Sequence, residues 1–369
     1  MKHVEIIDST LREGRQAPGV MFSPAAELAV IAGLRRVGVA EIELGVASPL
    51  HDWLPNLVRA ARKIVRHSCR LALWCRCREE DIAFAAACRP DVLSLSMPVS
   101  DCHIKERLGK DRAWVLDRLA CSVRQALALG IPFISVGLED ASRADSAFVI
   151  EAAKIAAQNS AGRIRLADTV GICSPGTMAA LVKTVKKTLR IKTGVHCHND
   201  FGMATANSIA ALEAGADCLD AAVLGLGERT GCCRLEEAVG YLALVLEQRH
   251  YQTEDLPALC RCVAEAAGRT IPASHPLVGK EIFTCETGLH QHGLAVNPAT
   301  YEPYPPERVK SGRTLRFGGK TGRKAVLLHL QKLGVQLDES KVEQLVCQLR
   351  TGGSVLSEQQ LLGLAMQGC

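Results

Sequence analysis

The stretch Val4-Glu5-Ile6-Ile7-Asp8-Ser9 is followed by the amphipathic segment Pro24–Val37 and then by Ala40-Glu41-Ile42-Glu43-Leu44. A strand-like run, a helix-like run and a second strand-like run therefore succeed one another. The same alternation continues down the chain until eight strand candidates have passed: Val4–Ser9, Ala40–Leu44, Leu71–Cys75, Val92–Met97, Phe133–Leu138, Ile164–Ala167, Thr193–Cys197 and Cys218–Val223. Between them Pro24–Val37, Arg112–Leu129, Ser142–Ala157, Pro175–Leu189 and Ala204–Ala214 carry apolar residues at three- and four-residue intervals, as in Leu116, Leu119, Val123 and Leu127. Gly38, Pro90, Gly130, Pro132 and Gly215 punctuate the returns. Strand–helix alternation implies a parallel sheet, because each crossover returns the chain to the same edge direction. Eight such units fit a (β/α)8 TIM barrel, whose usual size is about 250 residues. An open doubly wound sheet would want a Gly-rich turn after the first strand, where this chain has Ser9-Thr10-Leu11-Arg12.

After residue 252 the alternation stops. Glu254–Ala267 reads as a helix, and Ile271–Thr321 is loop-rich, with Pro272, Pro276, Pro298, Pro303, Pro305 and Pro306. Helical stretches follow near Gly322–Leu333, Ser340–Leu349 and Ser357–Met366. The expected organisation is an α/β barrel over 1–252 and a helical C-terminal region over 253–369, with an irregular arm over about 271–321.

Of the 369 residues, 48% are apolar and 22% charged, which excludes disorder as the main state. The longest charge-free stretch, Thr287 to Tyr301, contains His, Gln, Asn and Pro, so no membrane span is expected. The start, Met1-Lys2-His3-Val4, lacks the apolar core of a signal peptide, and a cytoplasmic location is expected. The net charge of +5 comes from dispersed Lys and Arg, with no basic stripe interleaved with aromatics, so nucleic acid is not an expected partner. The 16 cysteines include Cys75/Cys77, Cys260/Cys262 and the adjacent Cys232-Cys233, but no C-x-x-C, which weighs against a zinc ribbon. Most read as small buried thiols.

In a barrel the C-terminal strand ends line the active-site mouth. Those ends carry Thr10-Leu11-Arg12-Glu13, Glu43, Cys75-Arg76, Glu139-Asp140, Asp168-Thr169, His196-Cys197-His198-Asn199-Asp200 and Gly225-Leu226-Gly227-Glu228-Arg229. His196 and His198 share one strand face and could converge on one metal ion, with Glu13 a candidate third ligand. A chance pairing in a polar loop explains them equally well. Arg12 could hold an oxo acid's oxygens or neutralise a developing alkoxide, or form an ordinary ion pair. Glu139 and Glu43 could move protons or orient Arg12.

The run Asp8-Ser9-Thr10-Leu11-Arg12-Glu13-Gly14-x-Gln16, with His196-x-His198-Asn199-Asp200-Phe201-Gly202 and Gly225-x-Gly227-Glu228-Arg229, resembles the metal-dependent Claisen-condensing acyltransferases. These are the isopropylmalate, citramalate and homocitrate synthases. The segments Ala72–Arg76, Leu93–Asp101 and Gly137–Asp145 are most similar to homocitrate synthases of the nitrogen-fixation type. The resemblance implies condensation of acetyl-CoA with 2-oxoglutarate to homocitrate and CoA. It implies a divalent metal (Mg, Mn or Zn) on Glu13, His196 and His198, with Arg12 polarising the ketone. It also implies substrate contacts from Gln16 and Thr169, acid–base roles for Glu139, His290 and Tyr301, and a homodimer. Arg76 is our own candidate for the distal carboxylate of the substrate, where a guanidinium fork fits. Pyruvate and 2-oxoisovalerate are the alternative substrates; a carbon–carbon lyase of the same barrel and a non-catalytic metal-binding relative are the alternative classes.

The chain departs from the family pattern at four places. Arg15 stands where Glu is usual, Cys232-Cys233 follows Gly231 where Asn-Ala is common, and Cys285 and Lys320 replace His in the arm. Cys232 reads either as a soft metal ligand or as a neutral packing residue.

Overall fold

A computed structural model describes residues 4–367. Eight parallel strands close into a barrel in sequence order: β1 (Glu5–Asp8), β2 (Glu41–Val46), β3 (Arg70–Arg76), β4 (Val92–Pro98), β5 (Ile134–Glu139), β6 (Arg163–Asp168), β7 (Lys192–Cys197) and β8 (Cys218–Ala221). Helices α1 (Pro24–Val37), α2 (Leu54–Val65), α3 (Glu79–Cys88), α4 (Arg112–Ala128), α5 (Ser146–Gln158), α6 (Pro175–Thr188), α7 (Ala204–Glu213) and α8 (Leu235–Gly240) alternate with them. The architecture is the expected TIM barrel.

Local chemistry sets the helix ends. Ser23 accepts the Ala26 N–H ahead of Pro24, and α1 stops at Gly38, whose φ of 93° needs no Cβ. A capping box between Ser174 and Thr177 opens α6. Helix α5 starts at Ser146 rather than the expected Ser142, because Asp145 accepts the Ala147 N–H while Asp140 holds the turn before it at φ 59°.

Contacts divide the chain at 270, into Met1–Thr270 and Ile271–Cys369, and not at the expected 252. The reason is α9 (Leu256–Ala266), which packs on α1: Leu259 lies over Gly33, where an added Cβ would come within 2.8 Å of its Cδ1. The second unit has its own core of Phe317, Val326, Leu330, Val342, Leu345, Leu349 and Leu361. Its helices α11 (Arg323–Lys332), α12 (Glu339–Thr351) and α13 (Glu358–Gln367) match the three expected stretches. The arm over 271–321 is less irregular than expected. It holds β9 (Thr284–Cys285), α10 (Gly288–Val296) and β10 (Thr314–Phe317), and β10 pairs with both β9 and β11 (Leu356–Ser357).

Strand register shows what fills the barrel. Ile7 pairs with Glu41, Glu43 with Ala72, Trp74 with Ser94, Ser94 with Ser135, Ser135 with Arg163, Arg165 with Gly194, and Gly194 with Cys218. Glu41, Glu43, Ser135, Arg163, Arg165 and Asp220, all buried, thus face the interior in place of the branched aliphatic layers usual for this fold. They are paired: Arg163 donates to both Glu41 oxygens (2.6 and 3.1 Å) and to Ser135 Oγ (3.0 Å). Among the described residues no helix is long and apolar enough to cross a membrane.

Candidate active site

Glu13, His196 and His198 come together at the C-terminal mouth. All three are buried, and each presents one ligand atom within 4.8 Å of the others. His196 Nε2 lies 3.3 Å from His198 Nε2 and 3.7 Å from Glu13 Oε2. Two imidazole nitrogens turned toward one another beside a carboxylate form a donor set suited to a divalent cation.

Electrostatics supports that fit. Burial would raise the Glu13 carboxyl, but the charges of Arg12, His196 and His198 outweigh it and bring it down to about 2. Burial, helped by the neighbouring His196, pushes His198 down to about 3, so its ring is neutral near pH 7 and offers a lone pair. His198 Nδ1 is buried and has no hydrogen-bond partner among the described residues.

Behind the three ligand candidates runs a chain of ion pairs. Arg12 contacts Glu13 and donates through Nε to Glu43 (2.9 Å). Arg165 Nη1 lies 2.8 Å from Glu43 and 2.8 Å from Asp220, and Asp220 reaches His196 Nδ1 at 3.0 Å. Burial of Glu43 is overcome by Arg165 and Arg12, which hold it well below the usual carboxylate range. Glu43 thus holds Arg12, the contact that the ordering role considered for it requires. Sequence reading missed Arg165 and Asp220; the signal was the recurrence of charge at alternate strand positions, Glu41-x-Glu43 and Arg163-x-Arg165.

The remaining candidates are placed less uniformly. Glu139 ends β5, with one oxygen accepting from Ser96 Oγ (2.6 Å) and the other paired with Arg107, which a π-helical turn over His103–Arg107 delivers. Thr169 Oγ1 accepts the Asp140 N–H (2.8 Å), leaving its own hydroxyl proton to donate. Gln16 is exposed. Arg76 is exposed at the rim, and its Nε and Nη2 are both engaged by Asp81 (2.6 and 3.0 Å). His290 and Tyr301 lie in the second unit, with ring centroids 4.3 Å apart at 85°, beside a cavity of about 250 Å³ lined also by Phe283, Cys285 and Leu294.

Arg15 turns away from the metal candidates. It pairs with Glu27, donates to the Leu11 carbonyl (3.0 Å) and lies over the Trp53 ring at 4.5 Å, so it braces two mouth loops. Cys232 is fully buried and stands outside the 4.8 Å group; burial and nearby Glu13 raise its thiol well above the ordinary value, as befits a packing residue. Lys320 pairs with Glu286 at 3.7 Å.

Comparison with known proteins agrees with this geometry. The HMGL-like family pattern matches residues 3–263, and a "homocitrate synthase post-HMGL domain-like" pattern matches 277–355. The chain belongs to the HMGL-like family. Within it, the chain is an acyltransferase of the homocitrate, isopropylmalate and citramalate synthase group. A homocitrate synthase of Frankia alni is 38% identical over 90% of this chain and 94% of its own. A 2-isopropylmalate synthase of Caldanaerobacter subterraneus is 36% identical over 95% and 90%. The HMG-CoA lyase of Bacillus subtilis, 20% identical, superposes with a TM-score of 0.66 over 74% of this chain and 96% of its own, which speaks to the barrel alone. The HMGL-like family is metal-dependent, in keeping with the Glu13–His196–His198 group.

Proposed function

We propose that the chain condenses acetyl-CoA with 2-oxoglutarate to give (R)-homocitrate and CoA. The observation that carries this reading is the convergence of Glu13, His196 and His198 beside Arg12, in a chain 38% identical to a protein named homocitrate synthase. Glu13, His196 and His198 would hold a divalent metal, which when bound supplies Lewis-acid polarisation of the 2-oxo acid.

The chain's own groups do the rest. Arg12, kept charged against burial by Glu43 and Glu13, directs its guanidinium at the ketone oxygen and neutralises the alkoxide as the new carbon–carbon bond forms. Thr169 donates to a substrate carboxylate, with Gln16 nearby at the mouth. Arg76 receives the distal carboxylate through its free edge. Glu139, His290 and Tyr301 are the acid–base groups: one removes a proton from the acetyl methyl, and another protonates the alkoxide. Ser96 and Arg107 fix the Glu139 oxygens for that task. Water then cleaves the thioester and CoA leaves. The match over 277–355 favours a synthase over a lyase, since it covers the unit carrying His290 and Tyr301. The assembly proposed by resemblance is a cytoplasmic homodimer, in a nitrogen-fixation setting.

The isopropylmalate synthase relative at 36% identity favours 2-oxoisovalerate as the second reading. Purified protein is to be given acetyl-CoA, Mg²⁺, Mn²⁺ or Zn²⁺, and each 2-oxo acid separately, with free CoA read by chromatography because exposed thiols such as Cys102 and Cys347 would react with thiol dyes. The expected result is turnover with 2-oxoglutarate that disappears in His196→Ala. Silence with every oxo acid, from folded protein that binds metal, overturns the proposal.

A further inference from the structure

We propose that Asp220, held by Arg165, is a positioning residue that sets the His196 imidazole for divalent-metal binding. The inference rests on the reading of Glu13, His196 and His198 as a metal site. Gly194 pairs with Cys218, so two residues further along β7 and β8 the side chains of His196 and Asp220 share the interior face. Both are buried, and Nδ1 to Oδ2 is 3.0 Å. A carboxylate paired with a guanidinium only accepts, so His196 must carry its proton on Nδ1. Nε2 is then the lone-pair nitrogen, and Nε2 is the atom that faces Glu13 and His198.

The arrangement closes on itself. Asp220 is held by Arg165, Arg165 by Glu43, Glu43 by Arg12, Arg12 by Glu13, and Glu13 faces His196 again. Three carboxylates oppose two guanidiniums in this ring, one negative charge in excess before the imidazoles are counted, which suits a cation at its open edge. One circuit thus fixes both the ligand edge and Arg12. His198 has no equivalent support, its Nδ1 being unpartnered among the described residues, so the orientation of the pair depends on Asp220.

The test is Mn²⁺ binding to the metal-stripped full chain, read by electron paramagnetic resonance, which needs no turnover. Asp220→Asn removes the acceptor charge yet leaves Arg165 paired with Glu43, so no buried guanidinium is stranded. The expected result is a dissociation constant raised about 10–100-fold, with a nearly unchanged melting temperature. Nitrogen-15 spectra of metal-free Asp220→Ala, which takes the acceptor away altogether, should show one imidazole leaving the Nδ1–H tautomer. Should the Asn variant fail to fold, Arg165→Lys keeps the charge while loosening the hold on Asp220, and weaker Mn²⁺ binding by the folded Lys variant is expected. Wild-type protein that binds no Mn²⁺ overturns the metal reading itself. Wild-type protein that binds, with the folded variants binding equally well and the tautomer unmoved, overturns the role of Asp220 alone.

Discussion

His198 and Asp8 show how burial moves two groups in opposite directions, and both shifts carry pH predictions. His198 falls to about 3 in the fold against an ordinary 6.5, so between those values the unfolded chain binds the extra proton. Its contribution to stability is complete above pH 6.5 and is lost as pH falls toward 3. Asp8 is raised to about 7 by burial, which outweighs its hydrogen bonds from Thr10. There the native state holds the proton, and stability is lost as pH rises from 3.8 to about 7. Urea midpoints of metal-free protein should separate the two. The deficit of His198→Asn relative to wild type should shrink from pH 7.5 to 4.5, whereas Asp8→Asn should do relatively better at pH 8 than at pH 4.5. A pH-independent difference for both variants would contradict these assignments. Arg76→Ala should raise the KM for 2-oxoglutarate with little change in the KM for acetyl-CoA, and an unmoved KM removes Arg76 from the substrate contacts. At this scale, His196-x-His198 and Arg12-Glu13 are legible because strand period and residue chemistry are local. Asp81 holding Arg76, and Arg15 resting on Trp53, depend on side chains from other elements that no spacing rule reaches.

The strands explain why the site stands where it does. Register places Arg165 beside Gly194, and a Cβ on Gly194 would lie 2.6 Å from Cys218 Sγ and 3.4 Å from Arg165 Cγ. Gly194→Ala should therefore cost about 1–3 kcal/mol of stability through crowding. Gly137, where the nearest atom is Ser96 Oγ at 3.5 Å, should accept Ala at little cost. Equal urea midpoints for the two variants would contradict this packing. The alternation of strands and helices is readable because each unit signals its own ends, as Ser23-Pro24 and Gly38 do for α1. The interior ring of Glu43, Arg165 and Asp220 is not, since knowing that these residues oppose one another requires the register of β2, β6 and β8. Nor is the sheet in the arm: β9 is two residues long and exists only because β10 pairs with it, and β10 in turn with distant β11.

Each of the two units has a hydrophobic core of its own, around the barrel and around Phe317, Leu330 and Leu345. A chain ending at Thr270 should thus remain folded and bind Mn²⁺, because Glu13, His196, His198, Asp220 and Arg165 all precede that point. It should release no CoA, because His290 and Tyr301 do not. Condensing activity in the truncated barrel would remove the second unit from the chemistry. The property that decides the proposed function is which oxo acid the barrel mouth accepts. The most direct measurement is a single reaction holding acetyl-CoA, Mn²⁺ and equimolar 2-oxoglutarate, pyruvate and 2-oxoisovalerate, with the acid products separated and weighed by mass spectrometry. Homocitrate should dominate; a mixture dominated by isopropylmalate or citramalate would contradict the proposed substrate while leaving the condensation in place.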